Sequence, residues 1–132
     1  MIAFVDTSAL YALLDRDDEN HQAASATWKA LIESNALLVT SNYTLLETCA
    51  LVQHRLGVRA LRALRDSIFP LLTTEWVTKA QHESALTALL AAERRKLSLV
   101  DCVNFGIMRE AGLRKAFAFD SHFVEQGFEC GF

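Results

Sequence analysis

Residues 1–14, MIAFVDTSALYALL, decide the fold. The apolar run Ile2–Val5 ends at Asp6, the small polar residues Thr7 and Ser8 follow, and a second apolar stretch with helical spacing starts at Ala9. A short continuous apolar run closed by a polar break is the signature of a strand buried on both faces, as in a parallel sheet covered by helices. Asp6 then stands at the C-terminal end of that strand, and in open α/β sheets this edge is where ligands bind. Working outward, strand-like and helix-like segments alternate. The spacing predicts strands at 2–5, 37–40, 71–76, 115–119 and 127–131, and helices at 8–15, 19–34, 43–56, 58–67, 78–95, 98–111 and 121–126. Gly57 and Gly112 fall where helix ends are expected. The alternation implies an α/β fold with a parallel sheet covered on both faces. The 132 residues suit one domain spanning 1–132.

Composition narrows the class. With 52% apolar residues the chain has ample material for a core, and its net charge of −3 gives no global attraction to nucleic acid. Any such contact needs a local basic patch. No basic region precedes the apolar start and Asp6 interrupts it early, which argues against a signal peptide. No apolar stretch approaches the roughly 20 residues of a membrane helix. Cys49, Cys102 and Cys130 are odd in number and widely spaced, without a disulfide framework or zinc spacing, so a reducing cytoplasm is the expectation.

Four acids stand in apolar settings: Asp6, Glu47, Asp101 and Asp120. Three have ordinary explanations. Asp6 and Asp120 each follow a strand and suit helix N-caps or an Asx turn. Ser98-Leu99-Val100-Asp101 matches a capping box, and an acid in the first helical turn suits the helix dipole. Glu47 is different. It lies inside the helix 43–56, its neighbours three and four residues away are Tyr43, Thr44, Ala50 and Leu51, and none is a base. A partly buried glutamate needs a partner, either a tertiary salt bridge or a cation. In a parallel sheet the strand ends and the following helix starts share one edge, and four carboxylates gathered there repel one another. A hard divalent cation such as Mg²⁺ removes that conflict and activates water for phosphodiester hydrolysis.

The segments FVDTSAL, LLETCAL, LSLVDCVNF and FAFDSHF, in that order, resemble the four acidic motifs of PIN-domain ribonucleases, and most of all the VapC-type toxins of toxin–antitoxin pairs. The resemblance covers essentially the whole chain. It implies a three-layer α/β/α sandwich with a parallel sheet of four or five strands, and Mg²⁺- or Mn²⁺-dependent endonucleolytic cleavage of RNA. It implies that Asp6, Glu47 and Asp101 hold the metal directly or through water. Asp120 would complete the cluster by holding a second ion or positioning water. Thr7 or Ser8 would assist by hydrogen bonding. Asn104 lies one helical turn beyond Asp101 and either faces the same pocket or is an ordinary exposed polar residue. His122 either approaches the site or, the favoured expectation, is an uninvolved surface histidine, and His21, His54 and His82 show no ligand spacing.

Basic residues cluster at Arg55, Arg59, Arg62 and Arg65, at Arg94, Arg95 and Lys96, and at Arg109, Arg114 and Lys115. They are either phosphate contacts beside the pocket or solvated helix faces. The helices 43–56 and 58–67 carry Leu45, Leu46, Leu51, Val52, Leu56, Leu61 and Leu64, an apolar set that either packs internally or leaves a patch for a partner. The resemblance implies a homodimer and a cognate antitoxin protein there. Two other functions fit less well. A phosphatase using Asp6 as nucleophile wants an acid two residues later, where this chain has Ser8. A non-catalytic α/β protein-binding module of the receiver type wants an acid beside Asp6 and a late strand-end lysine, and neither is present.

Overall fold

The computed structural model describes residues 1–132. Four strands, β1 (Ile2–Val5), β2 (Leu37–Ser41), β3 (Thr73–Glu75) and β4 (Ala116–Phe117), form one sheet in the order β3-β2-β1-β4. Every pairing is parallel, with Phe4 opposite Val39 and Ala116, and Ser41 opposite Glu75. Parallel neighbours need crossovers, and helices supply them. α1 (Thr7–Leu14) and α2 (His21–Glu33) join β1 to β2, while α3 (Asn42–Leu56) and α4 (Val58–Ala63) begin the path from β2 to β3. α5 (Lys79–Ala92) and α6 (Leu99–Ala111) return the chain to β4, and the short α7 (Ser121–Glu125) follows it.

Side chains alternate across a strand, so the central strand feeds two cores. Ala3 and Val5 of β1 point with Leu38 and Phe117 into a layer built by Leu10, Tyr11, Ala24, Leu31, Val52 and Leu64. Phe4, Val39 and Ala116 point the other way, onto Val103, Phe105, Ile107, Met108 and Phe123. The result is the expected α/β/α sandwich, with α1 to α4 on one face and α5 to α7 on the other.

Two predicted elements differ. The helix predicted at 58–67 stops at Ala63. A wider π turn (Leu64–Ile68) and a 3-10 turn (Phe69–Leu71) follow, because Pro70 has no N–H to continue a regular ladder. The strand predicted at 127–131 does not form. Gly127 turns the chain with φ +90°, and only Glu129 bridges to Lys115. The sheet therefore has four strands. Of the apolar set on α3 and beyond, Val52 and Leu64 are buried, Leu51, Leu56 and Leu61 pack partly against the first core, and Leu46 is 71% exposed. Most of that set is ordinary packing.

Candidate active site

Each acid is delivered by a local rule. Asp6 ends β1 and caps α1: Ser8 donates to its Oδ2 through the backbone N–H at 3.1 Å and through the hydroxyl at 2.6 Å. The Ser8 hydroxyl oxygen also accepts from the Phe119 backbone N–H at 2.9 Å, tying the ends of β1 and β4 together. Asp101 occupies the third position of α6 in the capping box read from the sequence. Its N–H donates to Ser98 Oγ at 3.0 Å, and its Oδ2 accepts from the Ser98 N–H at 3.4 Å. Asp120 caps α7, accepting the His122 backbone N–H on Oδ1 at 2.9 Å. Glu47 lies on α3, half-buried.

The caps and a cation site are compatible because each of the three aspartates uses one oxygen for its cap. Both donors on Asp6 reach Oδ2, and none reaches Oδ1. No lysine or arginine forms an ion pair with any of the four acids. Burial pushes Asp6 up to about 7; the Ser8 hydrogen bonds oppose this, and the charges of Asp101 and Glu47 add to it. Burial also raises Glu47, against a hydrogen bond from Thr7, with Asp101 and Asp120 adding to the rise. Asp101 is raised by burial and by the charge of Asp120. The acids are thus near enough to feel one another's charge, and only 3% of Asp6 and 6% of Asp101 is exposed.

The expectation for His122 is overturned. Its side chain is only 12% exposed, with Nδ1 lying 3.0 Å from Asp120 Oδ1 and 3.5 Å from Asp101 Oδ2. That nitrogen is buried and makes no hydrogen bond, since the approach to the nearer oxygen has the wrong angle. Asp101, Asp120 and His122 form a compact potential ligand group, one atom from each lying within 4.8 Å of the others. Asp6 and Glu47 are not members of this tight group. The sequence signal for His122 was its place two residues after a capping aspartate. The core residue Phe123 beside it fixes the turn that brings the imidazole over that carboxylate.

Asn104 is not exposed either. It is fully buried: its Oδ1 accepts from Ser41 Oγ at 2.6 Å, and its Nδ2 donates to Thr44 Oγ1 at 2.8 Å. Its amide is spent on locking the start of α3 to α6, which sets Glu47 against Asp101. Thr7 is buried and receives a hydrogen bond from the Thr48 hydroxyl at 3.0 Å.

The basic clusters are partly committed elsewhere. Arg94 pairs with Glu125 at 2.9 Å and Arg65 with Asp66 at 2.7 Å. Arg55 stacks over Tyr11 and Arg109 over Phe128. Arg59, Arg62, Arg95, Lys96 and Arg114 remain exposed. Beside Glu47 lies an open apolar groove of about 280 Å³, lined also by Tyr43, Leu46, Ala50 and Val100. A second groove of about 300 Å³, between Cys49, Val58, Leu61, Arg62, Arg65 and Phe69, contains none of the four acids.

Residues 3–129 match the PIN domain, and the chain belongs to that family. Within it, the chain is 35% identical over 126 residues to the 23S rRNA-specific endonuclease VapC20 of Mycobacterium tuberculosis strain H37Rv, covering 95% of this chain and 94% of that protein. The same protein from strain CDC 1551 matches equally well. The crystal structure of M. tuberculosis VapC20, described as a Sarcin-Ricin loop cleaving toxin, superposes with a TM-score of 0.82 at 36% identity, over 99% of this chain and 98% of that one. FitAcB from Neisseria gonorrhoeae, at 17% identity and a TM-score of 0.68 over 98% of both chains, shares the fold.

Proposed function

We propose that this chain is a divalent-metal-dependent endoribonuclease that hydrolyses RNA phosphodiester bonds as the toxin of a VapBC-type toxin–antitoxin pair. One observation supports the chemistry: the charges of Asp6, Glu47, Asp101 and Asp120 act on one another, and no lysine or arginine is paired to any of them. Such a pocket is held together by a cation. The orphaned, buried His122 Nδ1 between two carboxylates points the same way. The donor set, carboxylate oxygens with one imidazole, suits Mg²⁺ or Mn²⁺. Asp6, Glu47, Asp101 and Asp120 are the residues assigned to hold it. When bound, the ion supplies neutralisation of the charge that builds on the phosphate and makes water a better nucleophile.

The chain's own groups do the rest. Ser8 fixes Asp6 and, through Phe119, its distance from Asp120. Thr7 orients Glu47. Asp120 is the more open carboxylate, 30% exposed against 9% for the Asp101 side chain, which suits it to hold a second ion or to orient the attacking water. That water forms a new bond to phosphorus as one ester P–O bond breaks. The groove beside Glu47 gives the flanking RNA a dry surface with an aromatic ring for a base to stack on.

Cleavage of a hairpin RNA, followed on gels, tests the assignment, and the relative named for 23S rRNA makes large-subunit rRNA the first substrate to try. Wild type is expected to cut in Mg²⁺ or Mn²⁺ and to stop in EDTA. Asp101→Asn is expected to lose about 100-fold or more, the scale of a lost electrostatic contact at a reacting centre. Equal cutting by both proteins would reject the site. The proposed setting is cytoplasmic, with a homodimer and a cognate antitoxin as partners. A basic antitoxin side chain suits the acidic pocket, and exposed Leu46 and Val58 offer it apolar surface.

A further inference from the structure

We infer that His122 is itself a metal ligand, through Nδ1, which makes the pocket a mixed nitrogen–oxygen site that favours Mn²⁺ over Mg²⁺; this rests on the metal-dependent nuclease reading above. Two explanations compete for the position of this imidazole. In an ordinary histidine–aspartate pair the ring N–H points at a carboxylate oxygen. Here Nδ1 lies 3.0 Å from Asp120 Oδ1, yet the angle is wrong and the nitrogen is left without a hydrogen bond while fully buried. A buried polar nitrogen without a partner is destabilising, so it needs a reason. A shared cation is one. Ligands around a six-coordinate ion at about 2.1 Å stand about 3.0 Å from their neighbours along the octahedral edges. The two separations found, 3.0 Å to Asp120 Oδ1 and 3.5 Å to Asp101 Oδ2, are close to that spacing.

The surroundings hold the ring in place. Asp120 caps α7, and Phe123, the residue after His122, is fully buried against Phe4, Phe105 and Phe128. The other three histidines are not available to such a site. His21 Nδ1 contacts the Ala12 carbonyl at 2.7 Å, His82 hydrogen-bonds the Tyr43 hydroxyl, and His54 is exposed on α3. Mg²⁺ prefers oxygen ligands, whereas an imidazole ligand suits transition ions. An imidazole in this pocket therefore shifts its preference.

Mn²⁺ bound to the untagged protein tests this by pulsed electron paramagnetic resonance, with calorimetry of Mn²⁺ and Mg²⁺ binding alongside. Wild type is expected to show ¹⁴N modulation from a directly bound imidazole, replaced by the ¹⁵N pattern after ¹⁵N-histidine labelling. His122→Gln is expected to lose the nitrogen signal and to weaken Mn²⁺ binding at least about tenfold, the lower end of what a disturbed ligand environment costs. Its Mg²⁺ affinity is expected to change less, so the preference for Mn²⁺ shrinks. Tight Mn²⁺ binding to wild type without nitrogen modulation overturns the inference and leaves the acidic metal site standing. No Mn²⁺ binding to the folded wild type overturns both. The wild-type measurement decides the matter even if the variant fails to fold.

Discussion

Asp6 meets two demands with its two carboxylate oxygens: Oδ2 caps α1 through Ser8, and Oδ1 is left for the pocket. Burial against other acids raises it to about 7 from 3.8. An acid raised on folding stays protonated in the native state at pH values where the unfolded chain has already released its proton. Its contribution to stability is therefore complete below about pH 4 and lost as pH rises through about 7, in the absence of metal. The shift corresponds to something on the order of 4 kcal/mol. Asparagine caps a helix as well as aspartate does. Asp6→Asn in EDTA is therefore expected to be more stable than wild type at about pH 7.5, with the margin closing towards pH 4, in urea unfolding at several pH values. Glu47 and Asp101 are raised in the same direction, so part of the slope remains in the variant. A variant weaker than wild type at about pH 7.5 would mean that Asp6 is not held against a charge penalty.

Elements set the distances between acids. The start of α3 is bound to α6 by one buried amide, Asn104, reaching Ser41 and Thr44. The Thr44 N–H also donates to Ser41 Oγ at 3.1 Å, so Ser41 is both N-cap and anchor. Asn104→Ala leaves two buried hydroxyls short of a partner and is expected to cost about 2–4 kcal/mol, read from urea unfolding. Its RNA cleavage is expected to fall too, although Asn104 touches none of the four acids. A cost below about 0.5 kcal/mol would show that the two helices are registered by other contacts. Periodicity predicted the helix containing Asn104 and the one containing Glu47, but it says nothing about which polar residues face each other. A helix-to-helix hydrogen bond spanning about sixty residues leaves no mark at the spacing of three or four that a sequence pattern reveals.

At the scale of the whole molecule, the sheet collects acids that are far apart in the chain. Its order β3-β2-β1-β4 puts β1 in the middle, and parallel pairing aims the ends of β1, β2 and β4 at one edge. If that edge holds a cation in the native state and not in the unfolded one, binding stabilises the fold by mass action. Mn²⁺ at a hundred times its dissociation constant is expected to add about 2.7 kcal/mol, seen as a rise in melting temperature that EDTA reverses. Asp101→Asn is expected to abolish the rise. An equal rise in the variant would place the ion elsewhere. The three cysteines are free; burial raises all three thiols, and the charges of Asp6 and Asp120 add to the rise at Cys130.

The sequence by itself determined the layout. An apolar run closed by Asp6, a capping box at Ser98–Asp101, a second strand-end acid at Asp120 and an unpaired Glu47 were all readable, because burial of strands and capping of helices are governed by neighbours a few residues away. What it could not determine was contact. His122 and Asn104 looked like surface residues, and only the tertiary structure turned one towards two carboxylates and buried the other between two helices. The strand expected at 127–131 failed for the same reason. Strand formation depends on a partner edge, and beyond β4 the chain turns at Gly127 and makes one bridge.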